Sequence, residues 1–596
     1  MPWHLPGEVT DRSVVVYMTG TLCTQPAQVL QTNHAIKVLQ NFINRLRKRR
    51  SAHLMVFGGI ETAGDRENPS PAAEMLVRAL ALLVDMPCEE VRVRAPDCAD
   101  LLDNPLAIAE FVEELYDHWR GYERYLIFEA ATDHSRDHAI EGHEAFVFNN
   151  EDLSSLIRDA YRRIEHNLRG HWPRVYRQTP AGATMGLLIE HIDWDCPGGI
   201  YEQLKSIRMV RLALLVPPVV LYPRMTFRRG QFLKVDENPL NDLNLDTEQW
   251  LCIPLLVGEL CILFYFHPDY RALAISLVNL FELADHKQAR RKPDMILLFG
   301  VPLEQMGRER TIFYVDEDHD MAVGVIGRSE EVDYFGYVKK MTLTLHNVIM
   351  MRRGRLPIHG AMANLRLREG PEKSIIIVGD TGTGKSESLE AFRMLAEDWI
   401  SDTTIIFDDM GSLVLTNPGE LLAYGTEIGA FVRLDDIDPG YAFGNFDRGI
   451  FMNPQFHNAR LVLPITEYSR VVAGYPVSVL LYANNYEPVT ESTPILEFFH
   501  TPEEALEIFR TGARVAKGTT EESGLVYSYF GNIFGPPQMR DVHEQLAHRY
   551  FIAAHELGVP IGQIRTRLGL EGMEREGPRL AAEALFRYLA EQAEHK

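Results

Sequence analysis

Residues 374–392 read SIIIVGDTGTGKSESLEAF, and Gly379, Gly384, Lys385 and Ser386 meet the spacing G-x-x-x-x-G-K-[ST]. The apolar run 375–378 supplies the strand that should precede such a turn. Glycine-rich backbone lets several N–H groups converge on a phosphate chain without Cβ clashes, and the following helix adds its positive N-terminus. The residues expected around ATP or ADP are Gly379, Asp380, Thr381, Gly382, Thr383, Gly384, Lys385 and Ser386. In that arrangement Lys385 reaches the terminal phosphates and the Ser386 hydroxyl ligates Mg²⁺. A chance glycine turn would not need both the full motif and its flanking strand.

Beyond the loop, Ile405, Ile406 and Phe407 predict a second buried strand, with Asp408 and Asp409 at its C-terminal end. Ligands bind at such ends in open parallel sheets, so the two acids are expected to hold a metal or its waters. Upstream, Lys339 and Lys340 stand beside a helical stretch, and His359 follows in IHGAMAN. Taken alone, these read as a solvated helix start and a turn histidine.

The elements that must position these residues fall into three parts. Over 1–175, strands at 13–20, 53–59, 90–94 and 125–130 alternate with helices at 33–50, 71–84 and 106–119, which predicts a doubly wound α/β domain. The basic residues at 45–50 suit the C-terminus of the first helix. Residues 176–320 are β-rich, with WLCIPLLVGELCILFYF expected as a buried hairpin turning at Gly258-Glu259. Residues 321–596 carry the phosphate-loop domain and end in helices.

Composition bounds the partners. At 596 residues, 46% hydrophobic and 24% charged, the chain has the makeup of a multidomain globular protein, and its net charge of −23 disfavours nucleic acid. Six cysteines without a C-x-x-C pair indicate neither a disulfide framework nor a cysteine-type zinc site. No signal peptide or membrane span is read, so a cytoplasmic protein acting on a small molecule is expected. The sequence does not specify an oligomer. DHSRDHAIEGHE, with His134 and His138 one helical turn apart, could hold zinc but reads more simply as an exposed polar loop and helix start.

The motif order resembles that of the ATP-type phosphoenolpyruvate carboxykinases. Tyr334, Gly336, Lys339 and Lys340 are similar to the family's Tyr-x-Gly-x-x-Lys-Lys; His359, Ala363 and Asn364 to its His-x-x-x-Ala-Asn; the loop and Asp408-Asp409 follow in the family's order. EIGAFVR resembles its Glu-Gly-Gly-Cys-Tyr-Ala-Lys strand with Arg433 in place of lysine, HNARLVLPI points to Arg460, and TGARVAKGTTEESG looks like the lid region. The likeness spans roughly residues 321–565. It implies a carboxykinase-like P-loop domain behind a divergent α/β N-terminal region.

The resemblance also implies roles. Lys340, His359 and Asp409 would ligate Mn²⁺, and Ser386 with the nucleotide would hold Mg²⁺. Lys385, Arg433 and Arg460 would neutralise the transferring phosphoryl group and the enolate oxygen. In such an enzyme oxaloacetate loses CO₂ and the enolate oxygen takes the γ-phosphoryl of ATP, giving phosphoenolpyruvate and ADP. The family's carboxylate-binding arginine has no evident counterpart; Arg92 or Arg94, and the Arg-Ser pair in IGRSEE, are the nearest matches. Thr381 replaces the family's loop serine and keeps a hydroxyl, while Glu387 in GKSE and the longer loop-to-acid spacing are more like the bacterial HPr kinases of the same superfamily, in which Asp408 would be a general base toward a hydroxyl. A nucleotide-binding regulator without chemistry is the third reading.

Overall fold

The structure is a computed structural model. It describes all residues except 1–4, 19–22, 130–135, 173–179, 242, 308, 368–371, 386, 389–390, 392–399, 417–418, 435–446, 457, 517–523 and 595–596, and the side chains of 136–144, 367, 400–402 and 593–594. The fold is mixed α/β and divides into two compact units, one of residues 1–191 with 208–219 and the other of 192–207 with 220–596. The expected 176–320 segment thus contributes to both.

In the first unit, strands Ser13–Met18, Glu123–Glu129 and Met185–Glu190 run parallel, with Gly7–Val9 antiparallel to the first and Arg208–Leu215 antiparallel to the last. Helices Asn33–Arg49, Pro71–Leu83 and Pro105–Arg120 form where amphipathic spacing predicts them, with Thr32, Ser70 and Asn104 side chains capping their first turns. They bury Phe42, Leu76, Leu80 and Phe111 in a helix-side core.

Two expected strands are helical. Residues Ala52–Phe57 form a 3₁₀ turn capped by the Ser51 hydroxyl, and Cys88–Arg94 form an α-helix. In the second, Val91 and Val93 alternate with arginines like a strand, yet Pro87 precedes the segment, Glu89 and Glu90 lie in the first turn, and Arg92 and Arg94 in the last. These charges complement the helix dipole and outweigh β-propensity. Arg92 is paired with Asp103 at 2.8 Å within this unit. The histidine-rich stretch at 133–143 falls outside the described residues and side chains.

In the second unit, the Leu251–Val257 and Leu260–Phe266 strands form the expected hairpin, with Val257 opposite Leu260 and Gly258 at φ +54° in the turn. All of their residues are buried. Parallel strands Met295–Val301 and Met321–Gly327 extend this sheet. The helix Phe335–Arg352 is buried almost all round, as a helix with little polar face must be.

A second sheet has Leu356–Leu367 at its centre, antiparallel to both Glu372–Val378 and Ile400–Leu415. Glu372–Val378 continues in parallel register to Val479–Asn484 and Ile561–Arg565. Ile375, Ile377, Leu481, Ala483 and Ile564 pack with Ala581 and Leu585 of the helix Glu576–Glu594. Gly429–Arg433, Arg460–Pro464 and Ile450–Met452 belong to a smaller antiparallel sheet.

This topology corrects the placing of the acid pair. Ile400–Leu415 is a single long strand and runs antiparallel to its neighbour, so Asp408 and Asp409 sit mid-strand opposite Ala361 and Gly360. Met410, Leu413, Val414 and Leu415 carry the strand on past the acids, so it does not end at Phe407 as the apolar run 405–407 alone suggests. Among the described residues, no helix is long and apolar enough to cross a membrane.

Candidate functional site

Every residue of the candidate site belongs to the second unit. The candidate phosphate loop follows the buried 375–378 run, and its glycines are required by geometry at two points. Gly384 has φ +92°, and a Cβ there would lie 2.8 Å from the Thr566 side chain; Gly382 has φ +76°. The Asp380 carbonyl accepts the Lys385 ammonium at 2.9 Å and the Thr383 hydroxyl at 2.7 Å. Thr566 Oγ1 donates to the Thr383 carbonyl at 2.6 Å, and Asn485 Nδ2 to the Gly382 carbonyl at 2.9 Å. Ser386 lies outside the described residues.

Next to the loop, the central strand presents His359, which is buried. Its Nε2 is 2.8 Å from Asp409 Oδ1, while Nδ1 faces the Gly531 carbonyl. A carbonyl and a carboxylate can only accept, so both ring nitrogens donate in this arrangement, and a metal at Nε2 would take the place of the hydrogen bond to Asp409. In metal sites a ligating histidine commonly makes such a bond, from its other ring nitrogen to a backbone carbonyl.

Lys339 and Lys340, far from being a solvated helix start, lie in the helix Phe335–Arg352 with Lys339 buried. Lys339 Nζ is ion-paired with Asp409 and lies 3.4 Å from Glu427 Oε1. Burial works against its charge, but Asp409 and Glu427 hold its pKa above the ordinary lysine value. Burial raises Asp409 and Lys339 and His359 lower it, so the carboxylate ends well below its usual range. Glu427, which accepts Met410 N–H at 3.1 Å and the Thr426 hydroxyl at 3.0 Å, is pushed up by burial to about 7, against the pull of Lys339.

Lys340 behaves oppositely. Its Nζ sits 4.7 Å from the Phe534 ring centre, and burial followed by the charge of Arg228 lowers its pKa to about 8. Asp409 and Asp380 pull in the other direction. Two adjacent lysines on one helix are thus held in different regimes, one ion-paired and holding its proton tightly, the other charged at neutral pH but easily deprotonated.

Arg433 and Arg460 are cross-strand partners at the end of the smaller sheet. Two guanidinium groups directly opposite each other can share one anion. Phe431 links them to the lysine helix: Arg460 lies 5.2 Å and Lys339 Nζ 5.8 Å from its ring centre. Arg460 Nε is buried without a hydrogen-bond partner.

The residues brought together are therefore Lys340, His359, Asp409 and the phosphate loop, with Arg460 reached through Phe431. Asp408 is half-buried on the same strand as Asp409. Five residues escape the sequence reading in whole or in part. The sequence marks Lys339 without its Asp409 ion pair, and Glu427 reads only as part of a strand. Arg228 stands in the segment TFRRG, and Gly531 and Phe534 in SYFGNIF. The doubled arginine of TFRRG was a visible signal; the SYFGNIF contacts with His359 and Lys340 have none in the sequence.

The donor chemistry fits a divalent transition metal. Asp409 is anionic, His359 keeps Nδ1–H on the Gly531 carbonyl while Nε2 can exchange its proton for a metal, and Lys340 needs only modest further depression to offer a lone pair. Among the described residues no three His, Cys, Asp or Glu side chains are grouped to hold a metal, so the set depends on the lysine. Compared with known proteins, the chain matches no family model. Nor does any curated protein match it.

Proposed function

We propose that the protein catalyses ATP-linked phosphoryl transfer of the phosphoenolpyruvate carboxykinase type, interconverting oxaloacetate and ATP with phosphoenolpyruvate, CO₂ and ADP. The observation that carries this reading is the placement of Lys340, depressed to about 8, with His359 and Asp409 beside the phosphate loop. A kinase acting on a simple hydroxyl has no use for an easily deprotonated lysine next to an imidazole and a carboxylate.

In this reading Lys385 leaves the Asp380 carbonyl to meet the terminal phosphates, and the loop amides cradle them. Lys340, His359 and Asp409 would hold Mn²⁺, and Ser386 would hold Mg²⁺ with the nucleotide. The metals, when bound, supply Lewis-acid stabilisation of developing negative charge. Arg433 and Arg460 add fixed positive charge toward the transferring group. Arg228 is the arginine that fills the role of carboxylate clamp: it belongs to the same unit, its charge acts directly on Lys340, and its Nε is buried without a hydrogen-bond partner. Catalysis then rests on positioning and electrostatics, with no general base required.

The test is direct. Purified protein with Mn²⁺, ADP, phosphoenolpyruvate and bicarbonate is expected to form oxaloacetate, and Arg460→Gln to lose that activity. Intact Mg·ADP binding without turnover would overturn the carboxykinase reading in favour of another acceptor.

A further inference from the structure

An acid inside a phosphate loop is electrostatically misplaced unless something else occupies it. Asp380 is buried, and both of its carboxylate oxygens are engaged. Oδ2 accepts Arg514 Nε at 2.8 Å and the Ser528 hydroxyl at 2.9 Å, while Oδ1 accepts the Thr381 N–H at 2.7 Å. Arg514 is itself buried and lies on Ala513–Ala516, which pairs with Gly524–Tyr527; Ser528 directly follows the second strand. Both partners therefore come from one antiparallel hairpin.

A second link runs between the same two pieces of chain. Asn485 donates from Nδ2 to Gly382 O at 2.9 Å and to Val515 O at 3.0 Å, and its Oδ1 accepts Val515 N–H at 2.8 Å. Beyond the hairpin, Gly531 presses on the loop's first glycine so closely that a Cβ there would lie 2.6 Å from Gly379 C. Burying an ion pair is costly compared with an apolar contact of the same shape, so its use here is explained by position.

We propose that Asp380, Arg514 and Ser528 form a tether that fixes the first half of the phosphate loop to this hairpin and thereby sets the loop's affinity for nucleotide. The three are positioning residues, acting through the loop backbone. Fixing the backbone in advance lowers the ordering cost of binding. The proposal rests on the nucleotide-binding reading above.

Electrostatics alone gives the opposite expectation, because removing a negative charge beside a polyphosphate should tighten binding. In the full-length protein, calorimetry with Mg·ADP is expected to show about tenfold weaker binding for Asp380→Asn and for Arg514→Gln. The double variant should bind no more weakly than the worse single, and Arg514→Lys should recover part of the loss. Without nucleotide, hydrogen exchange should quicken in Asp380→Asn at the amides of 379–385 while the rest of the second unit keeps its protection. Tighter or unchanged binding in Asp380→Asn, additive losses, or unaltered loop exchange would overturn the tether. If the unmodified protein fails to bind Mg·ADP, the nucleotide reading falls, and the exchange comparison still decides whether the tether exists.

Discussion

Replacing each of two neighbouring lysines by methionine should move stability in opposite directions. Lys340 has its pKa lowered from 10.5 to about 8, mainly by burial and then by Arg228. Below pH 8 the folded state holds a charged, disfavoured ammonium, and the penalty is constant. Between pH 8 and 10.5 the unfolded chain binds the proton more tightly than the native one, so stability rises with pH and the penalty fades. At ~1.36 kcal/mol per pH unit, Lys340→Met should stabilise the metal-free protein by about 3 kcal/mol at pH 7 and by little at pH 10.5. Lost contact with the Phe534 ring trims this figure by ~1 kcal/mol. Lys339→Met instead strands Asp409 and Glu427, and should destabilise at pH 7 by about 3 kcal/mol, the low end for a broken buried pair because Glu427 can take up a proton. Urea unfolding with a chelator present, at pH 7 and near pH 10, measures both. Destabilisation of equal size in the two variants, or a Lys340→Met gain that does not shrink with pH, would refute the assignment of separate charge regimes.

Further outcomes follow from the same geometry. Glu427, raised from 4.5 to about 7, binds its proton more tightly when folded, so its contribution to stability is lost as pH rises from 4.5 through 7; Glu427→Gln should flatten that part of the pH–stability profile in urea titrations. Gly384→Ala forces a side chain onto Thr566 at φ +92°, and should cost about 1–3 kcal/mol in unfolding and weaken Mg·ADP in calorimetry. Arg228→Gln should raise KM for the carboxylate substrate by about tenfold or more with Mg·ADP affinity retained, and should shift the Lys340 titration upward in NMR.

Much of the frame was legible because it rests on local signals. The phosphate loop announces itself through glycines that the backbone requires, and the 251–266 hairpin through an apolar run broken by Gly258-Glu259. Where local signals conflicted, the reading failed: Val91 and Val93 mimic strand alternation inside a segment whose charges favour a helix. The acid pair was found, but its strand's antiparallel partner was not, because pairing direction is set by where the 356–367 strand inserts. Lys339 and Lys340 look alike in sequence; only burial against Asp409, Glu427, Arg228 and Phe534, drawn from distant segments, separates them. The tether on Asp380 was illegible for the same reason, since Arg514 lies 134 residues away along the chain.

The central claim is that Lys340, His359 and Asp409 hold a divalent transition metal beside the phosphate loop. Mn²⁺ titration followed by electron paramagnetic resonance addresses it without requiring turnover. The account predicts one tight site per chain, with nitrogen couplings from His359 and Lys340, and affinity falling by about 10- to 100-fold in His359→Ala. Tight Mn²⁺ binding that survives His359→Ala and Asp409→Asn, or no tight binding by a protein that still takes up Mg·ADP, would contradict it.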